Sequence, residues 1–312
     1  MPGADTRRSR KAADARTVLP DAPRGGVDLD GLSTGLDALQ STQHKGGARL
    51  GGLLLARVLP PVVAIVLILA VWELVHLSGV KPDYVLPGPG AVWDALVEQW
   101  YLGTTLGVIG QSVSRGALGF LAAVAIGTPL GLFVWRVRPV RTAIGPMLTG
   151  LQSLPSVAWV PAAVIWFGLT DTAIYAVVLL GAVPSVANGL VAGMDQVPPL
   201  FVRAGRSLGA RGLRGVRHIL LPAALPGYLA GLKQGWAFSW RSLMAAELIA
   251  GSPEMGYGLG QMLENGRVAQ DMPLVLATIL LILCVGISVD LLVFAPLERY
   301  VLRTRGLLER AP

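Results

Sequence analysis

Six stretches of this chain, roughly residues 53–77, 106–134, 143–169, 172–194, 222–250 and 273–297, are dominated by apolar side chains. Each reaches the length of about 20 residues that a helix needs to cross the hydrocarbon of a bilayer. With 53% hydrophobic and only 14% charged residues among 312, the chain holds more apolar side chain than one soluble core can bury. The reading is therefore all-α: a polytopic membrane protein with six transmembrane helices and lipid as its solvent. The third stretch contains Pro155 and Pro161 in QSLPSVAWVPAAVIWFG, which remove backbone donors and should kink that helix or break it into short segments.

Charge sets the expected topology. Of the 26 Lys and Arg residues, 21 fall in 1–57, 135–141, 195–221 and 298–312, while Lys81 and Arg267 fall in the opposite loops. Basic residues resist translocation, so both termini are expected in the cytoplasm. The net charge of +7 is spread along these loops rather than gathered on a polar domain, which argues against nucleic acid as a partner. Residues 1–49, rich in Arg, Asp, Gly, Ser and Thr without apolar periodicity, read as a disordered cytoplasmic tail. The first apolar run lies too far from the start for a cleaved signal peptide. Residues 50–312 then form the transmembrane domain, with a long cytoplasmic loop at 195–221.

Two opposite-side segments look structured. In LPGPGAVWDALVEQW, Val92, Leu96 and Trp100 follow Pro89 as the stripe of a short amphipathic helix. In GSPEMGYGLGQMLENG, glycines 256, 258 and 260 suit a tight turn or a re-entrant segment. Cys284, the single cysteine, sits in an apolar run and reads as a small buried hydrophobe. His76 and His218 lie near opposite membrane faces without a second histidine at ligand spacing, so no metal site and no catalytic residue is expected.

A charge inside a span is costly unless paired or hydrated, which makes Arg115, Lys233, Arg241, Glu247 and Asp290 candidates for a translocation path. By depth along their helices, Arg115 should meet Glu247 and Lys233 should meet Asp290, leaving Arg241 near mid-membrane. There Arg241 would attract an anionic head group, with Gln152 and Ser153 adding hydrogen bonds beside the Pro155 kink. Trp236, Phe238 and Trp240 read as packing or pore lining. Gly227, Gly231 and Gly235 form a small-residue face that suits helix packing within the chain and a dimer interface equally well.

The cytoplasmic loop PPLFVRAGRSLGARGLRGVRHILLPAALPG is too long for a minimal connection and too basic to enter lipid, yet Phe201, Ala204, Leu208 and Leu213 fall roughly on one side of a helix. Here the chain resembles the permeases of bacterial binding-protein-dependent ATP-binding cassette (ABC) importers. Their signature runs E-A-A, three residues, Gly, nine residues, I-x-L-P, and it falls on Ala204, Gly209, Ile219, Leu221 and Pro222. Arg203 stands where the glutamate belongs and Gly205 where the second alanine belongs. The resemblance covers about residues 60–306. Through LPGPGAVWDAL, SLPSVAWVPAAVIWFGL, ALPGYLAGLKQGWAFSWRSLMAAELI and LERYVLRTRGL it narrows to the nitrate, sulfonate and taurine branch, closest to the aliphatic-sulfonate permeases.

The resemblance implies a type I importer permease fold in the bacterial inner membrane. It also implies a second copy of the chain, two ATP-binding cassette subunits and an extracytoplasmic solute-binding protein. Residues 203–209 would be a coupling helix, with Arg203, Ala204, Gly205, Leu208, Gly209, Ile219, Leu221 and Pro222 as its ATPase-coupling residues. The substrate it suggests is an aliphatic sulfonate, or else nitrate, taurine or a pyrimidine precursor. The chain carries no G-x-x-x-x-G-K-[ST] phosphate loop, so ATP and Mg are expected on the partner and no cofactor on this chain. An ATP-independent secondary transporter would show inverted repeats or a pore-lining charge ring, and a membrane enzyme a cluster of acids or histidines at one depth. Neither pattern is visible.

Overall fold

A computed structural model describes residues 50–251 and 256–305, which are helical with no strand among them. Residues 1–49, read from the sequence as a disordered tail, lie outside the described residues. The chain divides into two compact units, residues 1–67 and 68–312. Helix α1 is Leu50–Leu77. After it come α2 (Pro89–Tyr101) and α3 (Thr105–Arg136), then α4 (Arg138–Ser153), α5 (Val160–Phe167) and α6 (Asp171–Asp195). The second half holds α7 (Pro199–Ser207), the single turn α8 (Gly212–Gly215), α9 (Leu221–Ala250), α10 (Leu259–Val268), α11 (Met272–Val289) and α12 (Ala295–Thr304). Two π-helical turns, Val216–Leu220 and Asp290–Phe294, lead into α9 and α12.

Segments Leu59–Leu77, Thr105–Arg136, Asp171–Asp195 and Met272–Thr304 are long and apolar enough to cross a membrane, and α4 with α5 forms a fifth, broken span bent by 98°. The break follows from the two prolines. Leu154 and Pro155 are extended (ψ 130° and 121°), as the residue before a proline prefers, and a 3-10 turn, Ser156–Trp159, separates the halves. Helix α9 is more polar because it carries Lys233, Arg241 and Glu247. It still completes six, since its 30 residues reach about 45 Å and it packs lengthwise against the span α6.

Small residues make that packing close. A Cβ on Gly193 would lie 2.8 Å from the Tyr228 nitrogen, and one on Gly227 2.8 Å from the Gly193 Cα; Gly189 meets Gly231 the same way. Numbers that fall on α6 as they rise on α9 mean that the two helices run antiparallel. On its other side α6 runs parallel to α3, with Gly119 against Val178 and Gly131 against Ala187. Helix α6 is thus the centre of the bundle, and Ile174, Val178, Ala182, Val186 and Leu190 are fully buried. The glycine face of α9, open to two readings in the sequence, is spent inside the chain.

The outward surface is apolar, as lipid requires: Ile68, Leu74, Ile165 and Leu292 are all exposed. Cys284 belongs to that surface and is exposed, correcting the expectation of a buried hydrophobe; α11 turns its inner face, not this one, to α9. Trp236 and Trp240 are buried and stack at 6.1 Å, and Phe120 meets Trp236 edge-on at 5.6 Å, so these tryptophans are packing. In α2, Val92 is buried while Trp100 is exposed, so the expected stripe turns only partly inward. Trp72 Nε1 donates to the Pro87 carbonyl (3.0 Å) and His76 Nδ1 lies 3.0 Å from the Leu86 carbonyl, joining α1 after residue 68 to the segment before α2.

Candidate coupling loop and intramembrane charge sites

At the end of the bundle opposite the 195–221 loop, four elements converge on one carboxylate. Glu247 of α9 is fully buried and Arg115 of α3 is 2% exposed. Arg115 Nη1 lies 3.2 Å from Glu247 Oε1, and its Nη2 lies 3.0 Å from Asp171 Oδ1 at the start of α6. The Ser112 hydroxyl donates to Glu247 Oε2 (2.7 Å), the Gly260 N–H donates to the same oxygen (3.0 Å), and the Leu259 N–H donates to Ser112 Oγ (2.8 Å). A buried charge survives when it is paired and its remaining lone pairs are filled, and both conditions are met here. The glycines read as a turn have a sharper purpose. A Cβ on Gly258 would sit 2.6 Å from Glu247 Oε2, and one on Gly260 2.9 Å from the Leu248 nitrogen, so only glycine lets this backbone close over the carboxylate.

Arg115 and Glu247 meet as their depths suggested, inside a closed network rather than on an open surface. Asp171, Ser112 and the Gly260 amide were not foreseen. Asp171 offered a signal, an acid at the first residue of a span; Ser112 offered none.

Lys233 and Asp290 also meet, at 2.9 Å, both about half-exposed. They border an apolar cleft of about 570 Å³ between α9 and α11, lined also by Trp240, Arg241, Ile282 and Gly286. Arg241 is exposed there: its Nε donates to the Ala237 carbonyl (3.1 Å) and its guanidinium lies 4.7 Å from the centre of the Phe238 ring. The expected cluster with Gln152 and Ser153 does not form within the chain. Gln152 accepts from Asn188 Nδ2 (3.0 Å) and Ser153 donates to the Gly150 carbonyl (2.7 Å). The physical reason is that α9 turns Ser239, Ser242 and Ala246 toward the core, and at 100° per residue Arg241 falls outside that face.

The basic loop departs from the single helix expected of it. Helix α7 stops at Ser207 because Gly209 adopts φ +84° and Gly212 φ +59°. The Ala210 N–H donates to the Gly205 carbonyl (2.9 Å) and the Gly209 N–H to the Arg206 carbonyl (3.1 Å), the double bond of a Schellman end with glycine in the left-handed position. Leu213 therefore belongs to the separate turn α8. A Cβ on Gly209 would touch nothing within the chain, so inside this fold its glycine serves the left-handed backbone conformation. Gly205 is buried instead of presented: its missing side chain leaves room for Ile219. Arg203 and Ala204 are exposed, Leu208 is 87% exposed, and Leu200 and Phe201 are exposed beside them. Leu221 and Pro222 open α9, where a proline costs no helical hydrogen bond.

Lipid-length helices around a glycine-packed centre, with an exposed basic helix at one end, make this a polytopic membrane protein. A family model described as "Binding-protein-dependent transport system inner membrane component" matches residues 116–296, and the chain belongs to that family. Relatives include the taurine transport system permease protein TauC of Escherichia coli (strain K12), 32% identical over 231 residues, covering 72% of this chain and 82% of that one. The putative aliphatic sulfonates transport permease protein SsuC of Bacillus subtilis (strain 168) is 28% identical over 267 residues, 86% of this chain and 93% of that one. The nitrate import permease protein NrtB of Synechocystis sp. is 30% identical over 214 residues, 64% and 75% of the two chains. The inward-facing MetNI methionine ABC transporter shares the fold, with a TM-score of 0.54 at 18% identity over 64% of this chain and 97% of that one. The chain is thus an inner-membrane permease of an ABC importer and not an enzyme. Family membership implies a solute-binding protein and ATP-hydrolysing subunits as partners.

Proposed function

We propose that this chain translocates a small anion, an aliphatic sulfonate, as one of two identical permeases driven by two ATP-binding subunits that hold the ATP and Mg. This chain itself binds no cofactor. Both termini face the cytoplasm, which puts α7 on the side of the nucleotide.

The observation that carries the coupling role is the exposed end of α7. Leucine 87% exposed on a helix too basic to enter lipid is unfavourable in water, and burial in a groove of a partner relieves it. Ala204 and Arg203 flank it, so the docked surface is an apolar tip with a charged rim. A tagged chain co-purified with its ATPase tests this. Wild type should bring the ATPase down and Leu208→Glu should lose it, with the melting temperature of the permease unchanged. Unimpaired association of the variant would remove α7 as the docking element, and no association even for wild type would favour a transporter that works without ATP. Leu208 is the better probe than Gly209, where any side chain also strains the turn.

The sulfonate assignment draws on the SsuC and TauC relatives, taurine itself being a sulfonate, and on Arg241. Among the described residues no acid pairs with Arg241, and a guanidinium held back at the depth of Phe238 is costly against lipid, so this face of α9 suits water or an anion. Arg241→Gln is expected to lower sulfonate uptake about tenfold, the worth of one charge-assisted hydrogen bond, at normal expression. Uptake at the wild-type level would remove Arg241 from the path, and uptake of nitrate rather than sulfonates by wild-type vesicles would reassign the substrate.

A further inference from the structure

A cavity of about 460 Å³ lies where the end of α3, helix α7 and the turn before α9 come together, and the proposed docking tip of Arg203, Ala204 and Leu208 does not line it. Arg136, Arg206 and Arg211 line it, with Trp135, Val216 and Ile219 among the other walls. No carboxylate lines it. All three arginines are exposed, and among the described residues none of them makes an ion pair or a side-chain hydrogen bond. Asp195, across Trp135 in the neighbouring cavity, is already committed: it accepts from Arg141 Nη1 (3.0 Å) and Trp135 Nε1 (3.2 Å).

We infer that this cavity is a binding site for a phosphate group, the head group of an anionic phospholipid in the adjoining leaflet. Three arginines line this one space, and arginine is the side chain that binds phosphate oxygens in pairs of parallel hydrogen bonds. Basic pockets between helices at the membrane surface take head groups for this reason. The rest of the lining is apolar, including an indole suited to the head-group level, so a phosphate that carries a glycerol and chains fits better than a bare ion. Arg206 belongs to α7 while Ile219 lies just before α9. A bound head group therefore ties the protruding helix to the span that carries Lys233 and Arg241, and the site does not depend on which ATPase docks there.

Native mass spectrometry of the full chain in detergent, titrated with phosphatidylglycerol or phosphatidylcholine, tests the site. Wild type should retain phosphatidylglycerol and not phosphatidylcholine. The double variant Arg136→Gln/Arg211→Gln should weaken that retention at least about tenfold. The control Arg214→Gln/Arg217→Gln, which removes the same amount of charge from the same face outside the cavity lining, should leave it intact. Both variants change exposed side chains, and matching melting temperatures would show that each is folded. An equal loss in the control reduces the effect to surface charge and overturns the site, as does equal retention of phosphatidylcholine. Displacement of the lipid by millimolar inorganic phosphate would keep the phosphate site and assign it to the free ion.

Discussion

Arg115→Ala is expected to be the most damaging single change in the buried network, with a cost of about 3–5 kcal/mol, the usual range for removing one partner of a buried ion pair. The substitution leaves Glu247, fully buried, with two hydrogen-bond donors and no cation, and it strips Asp171 of its partner at 3.0 Å. Glu247→Gln should cost less, because Arg115 keeps Asp171 and the amide oxygen still accepts from Ser112 and from the Gly260 N–H. Its remaining penalty is an amide NH2 turned toward a guanidinium, about 1–3 kcal/mol for mismatched buried groups. The double variant Arg115→Met/Glu247→Leu should be milder than the sum of Arg115→Met and Glu247→Leu, since neither member of that pair is left buried alone, although Asp171 still loses Arg115.

Thermal unfolding in detergent, read with the yield of monodisperse protein, ranks these variants. Stabilities of folded domains are only about 5–15 kcal/mol, so Arg115→Ala should yield little folded protein. If Glu247→Gln proves worse than Arg115→Ala, the carboxylate and not the guanidinium is the hub. If both melt with wild type, the network contributes no net stability, and its closed geometry across α3, α6, α9 and α10 would then serve motion rather than folding.

What the sequence discloses of this arrangement follows from one-dimensional constraints. Hydrocarbon thickness sets span length, which made the six stretches visible to within a few residues. Two prolines six apart announced the break between α4 and α5, because each removes a donor wherever it lies. A rise of 1.5 Å per residue placed Arg115 level with Glu247 and Lys233 level with Asp290, and both pairs form. Rotation about a helix axis is set by packing that hydropathy does not encode, so the same depth argument failed for Arg241: it matched the level of Gln152 and Ser153 but not their side of α9. Glycine misleads for a related reason. Gly209 answers to a left-handed φ, Gly205 to the Ile219 side chain, Gly258 to the Glu247 carboxylate and Gly260 to the α9 backbone at Met244 and Leu248, four causes that look identical in the chain. Residues 201–213 read as one helix because apolar spacing continued across Gly209, whose backbone conformation ends α7.

Gly189→Leu is expected to abolish the native bundle, because the seam between α6 and α9 has no room to yield. A Cβ on Gly189 would overlap the Gly231 Cα and lie 3.2 Å from its carbonyl carbon, and the next turn is equally closed, with Gly193 facing the Tyr228 nitrogen at 2.8 Å and the Ala224 oxygen at 2.9 Å. Carbon atoms pack at about 3.5–4.0 Å, and the obstructing atoms are backbone, which no rotamer change moves. Even Gly189→Ala must push the two helices apart. Overpacking costs about 1–3 kcal/mol, and in lipid, where no hydrophobic force draws helices together, close contact is much of what holds them. Gly231→Ala should match it, since the two positions face each other. Gly107→Ala and Gly110→Ala on α3 are the controls: nothing lies within 4 Å of either added Cβ, and alanine favours a helix by about 1 kcal/mol over glycine, so both should be neutral or slightly stabilising. The seam is internal to one chain, so the loss should appear as lower melting of the solubilised subunit at every protein concentration. A loss that fades as concentration rises would instead place Gly189 and Gly231 at a contact between copies, and wild-type melting of Gly189→Leu would show that α6 and α9 do not pack this closely.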